Sequence, residues 1–227
     1  MFKLAFIHIP KTGGSKFVGE IINLWPKELV SPHTGMQDFL RDPIVHTYHF
    51  TAGHVFYMKI KELLDPDMKY ITILREPIQR SCSHWMHIRR FNLTTAKTIE
   101  EFLYDHEDSA YAHNLMAKHI AWWPKDGMKE IPANTGTMER MPMEMTDDEL
   151  YTKAFNNLKE FWYVGLQNKW PKAVEKALAE FNLPLPAHAI QRGSQDYRLL
   201  LAGQLLKDFT DANRVDTELY NYFNAQV

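Results

Sequence analysis

A chain of 227 residues is long enough for one full α/β core and little more, and a net charge of −2 excludes a global field that recruits nucleic acid or an anionic membrane. One cysteine, Cys82, excludes an internal disulfide framework and most cysteine metal sites, which fits a reducing compartment. The sequence shows no signal-peptide pattern and no run of about 18 apolar residues, so no membrane span is expected and the expected location is cytoplasmic.

Residues 4–9 predict a strand and 14–24 the helix after it, ended by Trp25-Pro26. Residues 26–43 read as loop around Pro26, Pro32, Gly35 and Pro43, with a short helix over Met36–Leu40. Ile44–Tyr48 is β-branched and aromatic, which predicts a short strand or the lead-in to one. Phe50–Val55 follows and leads to a helix over Tyr57–Leu64. Lys69–Arg75 is the clearest strand, apolar on both parities as in a strand covered on both faces. Pro77 suits the first turn of a helix that runs to Phe91. Thr98–His106 and Ala110–Ala121 predict two more helices.

Residues 123–147 hold no period. Pro124, Gly127, Pro132, Gly136 and Pro142 interrupt them, with five methionines between Met128 and Met145, so an irregular insertion is expected, of the kind that forms lids or stays disordered. Asp147-Asp148-Glu149 opens a helix to about Lys159, and Phe161–Leu166 is another short buried strand. A helix over 170–181, a break at Leu183-Pro184-Leu185-Pro186, a loop over Ala187–Ser194 and two helices at about 196–209 and 211–223 complete a single domain, 1–227. Strands separated by helical patterns predict an α/β fold with a central, mainly parallel sheet and helices on both faces.

In such sheets ligands gather at the carboxyl ends of the strands, and Lys11, His54 and Arg75 each fall there. The run His8-Ile9-Pro10-Lys11-Thr12-Gly13-Gly14-Ser15-Lys16 joins a strand to a helix start through two glycines, with lysines beside them. Glycine backbone, amides at a helix N-terminus and an ammonium make an anion site, most naturally for phosphate. A Gly-Gly turn between strand and helix also occurs as a plain turn. Lys11 precedes the glycines, unlike the order G-x-x-x-x-G-K-[ST] of nucleoside-triphosphate loops. Arg75 ends a strand and Ser83 lies one to two turns into the next helix, a pair that suits a second phosphate; the rival is that Arg75 pairs with Glu76. His54, after the small pair Ala52-Gly53, could accept a proton from an alcohol, but the chain has 11 histidines and most must be surface or satisfied polar residues. His46, His49 and His54 are not spaced to converge on a metal, and no Cys or Asp joins them, so no metal is expected.

The loop His8–Ser15 resembles the 5′-phosphosulfate loop of the sulfotransferases that use 3′-phosphoadenosine 5′-phosphosulfate. Ile73-Leu74-Arg75-Glu76-Pro77-Ile78-Gln79-Arg80-Ser81-Cys82-Ser83 resembles their 3′-phosphate motif. Three further stretches are similar to the heparan sulfate 2-O-sulfotransferase branch. Ala52-Gly53-His54-Val55 is similar to its His-Gly-His-Val segment, Phe161–Leu166 to its late strand, and Asn213-Arg214-Val215-Asp216-Thr217-Glu218-Leu219-Tyr220 to its terminal Asn-x-x-Asp-x-x-Leu-Tyr helix.

The resemblance implies a P-loop-like three-layer α/β/α fold and transfer of a sulfuryl group to an acceptor hydroxyl. It implies Lys11 at the bridging oxygen, the backbone of Thr12, Gly13, Gly14, Ser15 and Lys16 at the 5′-phosphate, and Arg75 with Ser83 at the 3′-phosphate. It also implies His54 as base and Arg192-Gly193 in a late loop over the nucleotide. Two positions depart from the pattern: Lys16 stands where a small hydroxyl residue is common, and Ala52 where the first histidine of the pair would be. The acceptor is expected to be a carbohydrate or another small hydroxylated molecule. Arg80, Arg89, Arg90 and Lys97 are candidate cations for it, and Trp122-Trp123 a stacking face or a packed helix end. A P-loop nucleotide kinase and a non-catalytic phosphoadenosine-binding module are the rival readings.

Overall fold

The computed structural model describes residues 2–105, 112–123, 144–182 and 201–226. Strands β1 (Leu4–Ile7), β2 (Phe50–Gly53), β3 (Lys69–Leu74) and β4 (Tyr163–Leu166) form one parallel sheet in the order β2-β1-β3-β4. The helices are α1 (Gly14–Ile21), α2 (Met36–Arg41), α3 (Tyr57–Leu63), α4 (Pro77–Arg90), α5 (Leu115–Ala121), α6 (Asp147–Glu160), α7 (Trp170–Ala179), α8 (Gly203–Ala212) and α9 (Arg214–Gln226).

The sheet is covered on both faces, which is why its strands are apolar on both parities. Ala5 and Ile7 of β1, with Ile9 just after it, pack with Ile60 of α3, Ile120 of α5, Leu158 of α6 and Leu219 of α9. Leu4 and Phe6 point the other way, onto Phe17 and Ile21 of α1 and Val174 of α7. The result is the expected three-layer α/β/α arrangement. No described helix is long and apolar enough to cross a membrane.

Local chemistry sets the boundaries. Glu76 caps α4 by accepting the amides of Ile78 (3.3 Å) and Gln79 (2.8 Å), and Pro77 sits in the first turn. Thr146 and Glu149 form a reciprocal capping box at the start of α6.

Three elements differ from the sequence expectation. Ile44–Tyr48 is not a strand. It holds a 3₁₀ turn, Val45–Thr47, and Ile44 is half exposed at 53%. The Asp42 carboxylate accepts the Ile44 amide (2.9 Å) and the Thr47 hydroxyl donates to the Ile44 carbonyl (2.7 Å), so side-chain bonds to the backbone override β propensity there. The stretch expected as a helix over Thr98–His106 contains a wide π-type turn, Glu101–Asp105. Helix α5 starts only at Leu115, because Asn114 adopts a left-handed conformation with φ 48°. Residues 124–143 of the expected insertion, and the break and loop over 183–194, lie outside the described residues.

Candidate functional site

The sheet order places the site. β1 connects to β2 on one side, and β3 returns on the other side of β1, so the topology reverses between β1 and β3. In doubly wound sheets that point opens a crevice at the carboxyl ends.

The β1–α1 loop builds the floor of this crevice. Thr12 is buried and pins the loop: its hydroxyl donates to the Ile9 carbonyl at 2.8 Å. Lys11 takes a left-handed conformation (φ 69°), as does Gly13 (φ 93°). Gly14 must be glycine for packing: a Cβ there would sit 2.2 Å from Cδ2 of His8 and 2.5 Å from Cε1 of Phe6. Helix α1 starts at Gly14 with no side-chain cap, which keeps its leading amides available to an anion. Ser15 and Lys16 are exposed on its first turn.

Arg75 enters from β3. Its guanidinium is buried (7% exposed) and donates through Nη1 to the Lys11 carbonyl at 2.9 Å. The two strand ends are therefore joined across the crevice, and burial and the Arg75 charge hold the Lys11 ammonium below its ordinary range. The carboxylate of Glu76 serves the α4 cap. Ser83 is half-buried, about 9 Å along α4 from Pro77.

His54 enters from β2. Phe6 is registered opposite Ala52, and one residue pair beyond the paired strands on the same face stand His8 and His54. Their rings stack with centroids 4.3 Å apart at 28°. Nδ1 of His54 lies 2.8 Å from the His8 carbonyl, which can only accept, so Nδ1 carries the proton. In the neutral ring Nε2 is then the basic nitrogen. The His54 amide donates to the Thr34 carbonyl at 2.8 Å. His8 is pushed down to about 3 by burial, then by His54, His119 and Lys11, so it is neutral near pH 7. Sequence reasoning assigned His8 no role; its signal lies in the β1–β2 register, which joins residues 46 positions apart.

The other expected residues fall elsewhere. Arg80 is fully buried and is not an acceptor cation: its Nη2 donates to Ser81 Oγ at 2.6 Å and the Ala112 carbonyl at 3.2 Å. Burial pushes it down to about 10, opposed by the Asp216 charge. Arg89 lies over the Trp85 ring (5.1 Å) and Arg90 over Phe91 (5.8 Å), about 18–20 Å along α4 from Pro77. Trp122 is buried at 4% exposure with its ring edge-on to Phe56, and Trp123 is half-buried against the same ring, so Trp122 packs as a helix end. Arg192 and Gly193 lie outside the described residues. Among the described residues, no group of three His, Cys, Asp or Glu side chains could hold a metal ion.

The terminal Asn-x-x-Asp run has a structural role in this chain. Asp216, fully buried, accepts the amides of Met116 (3.0 Å) and Ala117 (2.8 Å) at the start of α5. Asn213 Oδ1 accepts the Asn114 amide at 2.9 Å. Helix α9 thereby holds α5, whose Met116 Sδ lies 3.5 Å from the Arg75 amide.

No protein-family model matches the chain, and no curated protein matches its sequence. Its structure is similar to that of a sulfotransferase from Alicyclobacillus acidocaldarius, with a TM-score of 0.54 and 14% identity over 95% of this chain and 93% of that one. The two chains share a fold. Mouse sulfotransferase SULT7A1 complexed with PAP also aligns, at a TM-score of 0.42 and 13% identity, over 92% of this chain and 62% of that one.

Proposed function

We propose that this protein transfers a sulfuryl group from 3′-phosphoadenosine 5′-phosphosulfate to a hydroxyl of an acceptor. One observation carries the reading: the Arg75 guanidinium and the Lys11 backbone meet at 2.9 Å across the β1–β3 crevice, above an uncapped helix start. A nucleotide with phosphates at both ends needs two cationic anchors on one crevice. Gly14, with no Cβ, lets His8 and Phe6 pack directly against the turn that presents the leading amides of α1.

In this reading the leading amides of α1 hold the 5′-phosphate, and Arg75 with Ser83 holds the 3′-phosphate. The Lys11 ammonium faces the oxygen that bridges phosphorus and sulfur. That sulfur–oxygen bond breaks as a bond forms from sulfur to the acceptor oxygen, with the two oxygens in line. Negative charge builds on the departing phosphate, where Lys11 stabilises it. The acceptor hydroxyl gives its proton to Nε2 of His54, the nitrogen that the His8 carbonyl leaves basic. His54 stands on the β2 side of Lys11 and Arg75 on the β3 side, so acceptor and donor approach from opposite sides of the loop.

A non-catalytic phosphoadenosine-binding module is the second reading, favoured by Ala52 and Lys16 at positions where the resembling enzymes carry other residues. Calorimetric titration and a transfer assay test both. Adenosine 3′,5′-bisphosphate is expected to bind at least 10-fold more tightly than AMP or ATP, and labelled sulfate is expected to pass to a hydroxylated acceptor. Preference for ATP with magnesium would overturn the donor assignment. Tight bisphosphate binding without transfer across a broad acceptor panel would leave the binding module.

A further inference from the structure

The α1 side of β2 carries a cavity of about 430 Å³ that the donor reading does not use. Residues 30–35 run beside β2 as a partial extra strand, bridged at Val30–Phe50 and Gly35–His54. The cavity lies between that segment and α1. Val18 and Ile22 of α1, Val30, and Phe50 and Ala52 of β2 supply apolar wall.

Ala52 decides the shape. Positions 50 and 52 of β2, and 54 just beyond it, share one face, so Ala52 contributes only a methyl where a larger side chain would fill the space. His54 follows about 6–7 Å further along the strand, and Thr34, whose carbonyl holds the His54 amide at 2.8 Å, also lines the cavity. Ala52 and Thr34 thus mark the end of the cavity nearest His54, which is not itself part of the lining. The opposite end, by Phe50 and Val30, carries Lys27.

The lining chemistry restricts the occupant. Among the described residues that line the cavity there is no carboxylate, and Lys27 is the one lysine. The remaining basic residue, His33, is held by Asp42 at 2.7 Å. One ammonium cannot grip a densely sulfated polymer. The volume falls low in the range of about 300–1,000 Å³ for small-molecule sites, whose walls are mostly apolar with a few placed polar groups.

We propose that this cavity holds the body of the acceptor: a small phenol-like molecule whose hydroxyl faces His54 and whose carboxylate, at the far end, faces Lys27. The assignment rests on the sulfuryl-transfer reading, and it selects a small apolar acceptor over a glycan chain.

The test uses the full chain and p-hydroxyphenylpropionate as probe. Tyramine is the opposite-charge control, and a desulfated heparan tetrasaccharide represents the glycan. Binding is measured by calorimetry with and without adenosine 3′,5′-bisphosphate, and KM by labelled-sulfate transfer. The phenolic acid is expected to bind more tightly than tyramine. Ala52→Leu is expected to weaken it at least 10-fold, and Lys27→Glu to reverse the preference. Both variants should bind the bisphosphate within 2-fold of the unsubstituted protein. Lys27 is exposed, so its variant remains informative if Ala52→Leu fails to fold. Probe binding indifferent to both substitutions, or transfer to the tetrasaccharide in preference to the phenol, overturns the cavity assignment. Failure of the unsubstituted protein to bind the bisphosphate overturns the reading beneath it.

Discussion

His8 and His54 stack face to face at 4.3 Å, and the His8 carbonyl accepts from Nδ1 of His54 at 2.8 Å. The β1–β2 register creates this pair and fixes one tautomer of His54, with Nε2 basic. His54→Ala is therefore expected to lower turnover by about 10² or more, the usual scale for a positioned base. Because His54 is exposed, the variant should fold and bind adenosine 3′,5′-bisphosphate normally. Near-normal turnover in a folded variant would remove the base role.

Lys11 and Arg75 divide the donor between them in the proposed mechanism. Lys11→Ala is expected to reduce kcat by about 10²-fold, as for loss of a transition-state charge stabiliser. Arg75→Ala is expected to weaken adenosine 3′,5′-bisphosphate by at least 10-fold while AMP binding changes little, because only the bisphosphate carries the 3′-phosphate. Titrations of both nucleotides measure the difference. Equal losses for the two would place Arg75 in loop support alone.

Gly14→Ala tests the loop packing. The added methyl would lie 2.2 Å from His8 Cδ2, and both His8 and Phe6 are packed in place. Overpacking of this kind costs about 1–3 kcal/mol. A lower denaturation midpoint is expected together with weaker nucleotide binding and reduced turnover, since the same shift displaces His8 beneath His54. A variant with unchanged midpoint and turnover would show that the loop yields freely.

Asp216 holds the start of α5 from α9 and faces the buried Arg80 charge. Asp216→Ala leaves two amides without their acceptor and a buried guanidinium without its opposing charge. The expected cost is about 3–5 kcal/mol, or a fall in Tm of roughly 10 °C for a chain of this size. Thermal melts check this, and a shift of under 2 °C would contradict it.

Acid should destabilise the fold through three histidines, buried His84 and half-buried His8 and His113. Burial and then Arg80 push His84 down to about 3, burial and then His54 push His8 down to about 3, and burial and then Lys118 push His113 down to about 4. In the unfolded chain each titrates near 6.5. Between about pH 6.5 and 4 the unfolded state therefore binds more protons, so stability present above pH 6.5 is lost as pH falls. The slope reaches about 1.4 kcal/mol per pH unit for each such group. Tm should fall between pH 7 and 5, less steeply in His84→Phe. A pH-independent Tm across that window would refute the assignment.

The sequence alone determined what depends on neighbours in the chain. Apolar runs on both parities marked β1 and β3, and Pro, Gly and small residues marked where they stop. Lys11, His54 and Arg75 could thus be set at strand ends before any contact was known. Of the two readings of Ile44–Tyr48, the strand failed and the lead-in to β2 stands, because the Asp42 and Thr47 side chains bond the backbone into a turn. Local reasoning took Arg80 for a solvent-facing cation, because Asp216 lies 136 positions further on. Only the tertiary structure decided that His8 meets His54, that Arg75 reaches Lys11, and that a cavity stands over Ala52. Each depends on which residues of separate strands and helices face one another. Strand register and helix packing are set by burial across the whole core, and a window of sequence does not contain that information.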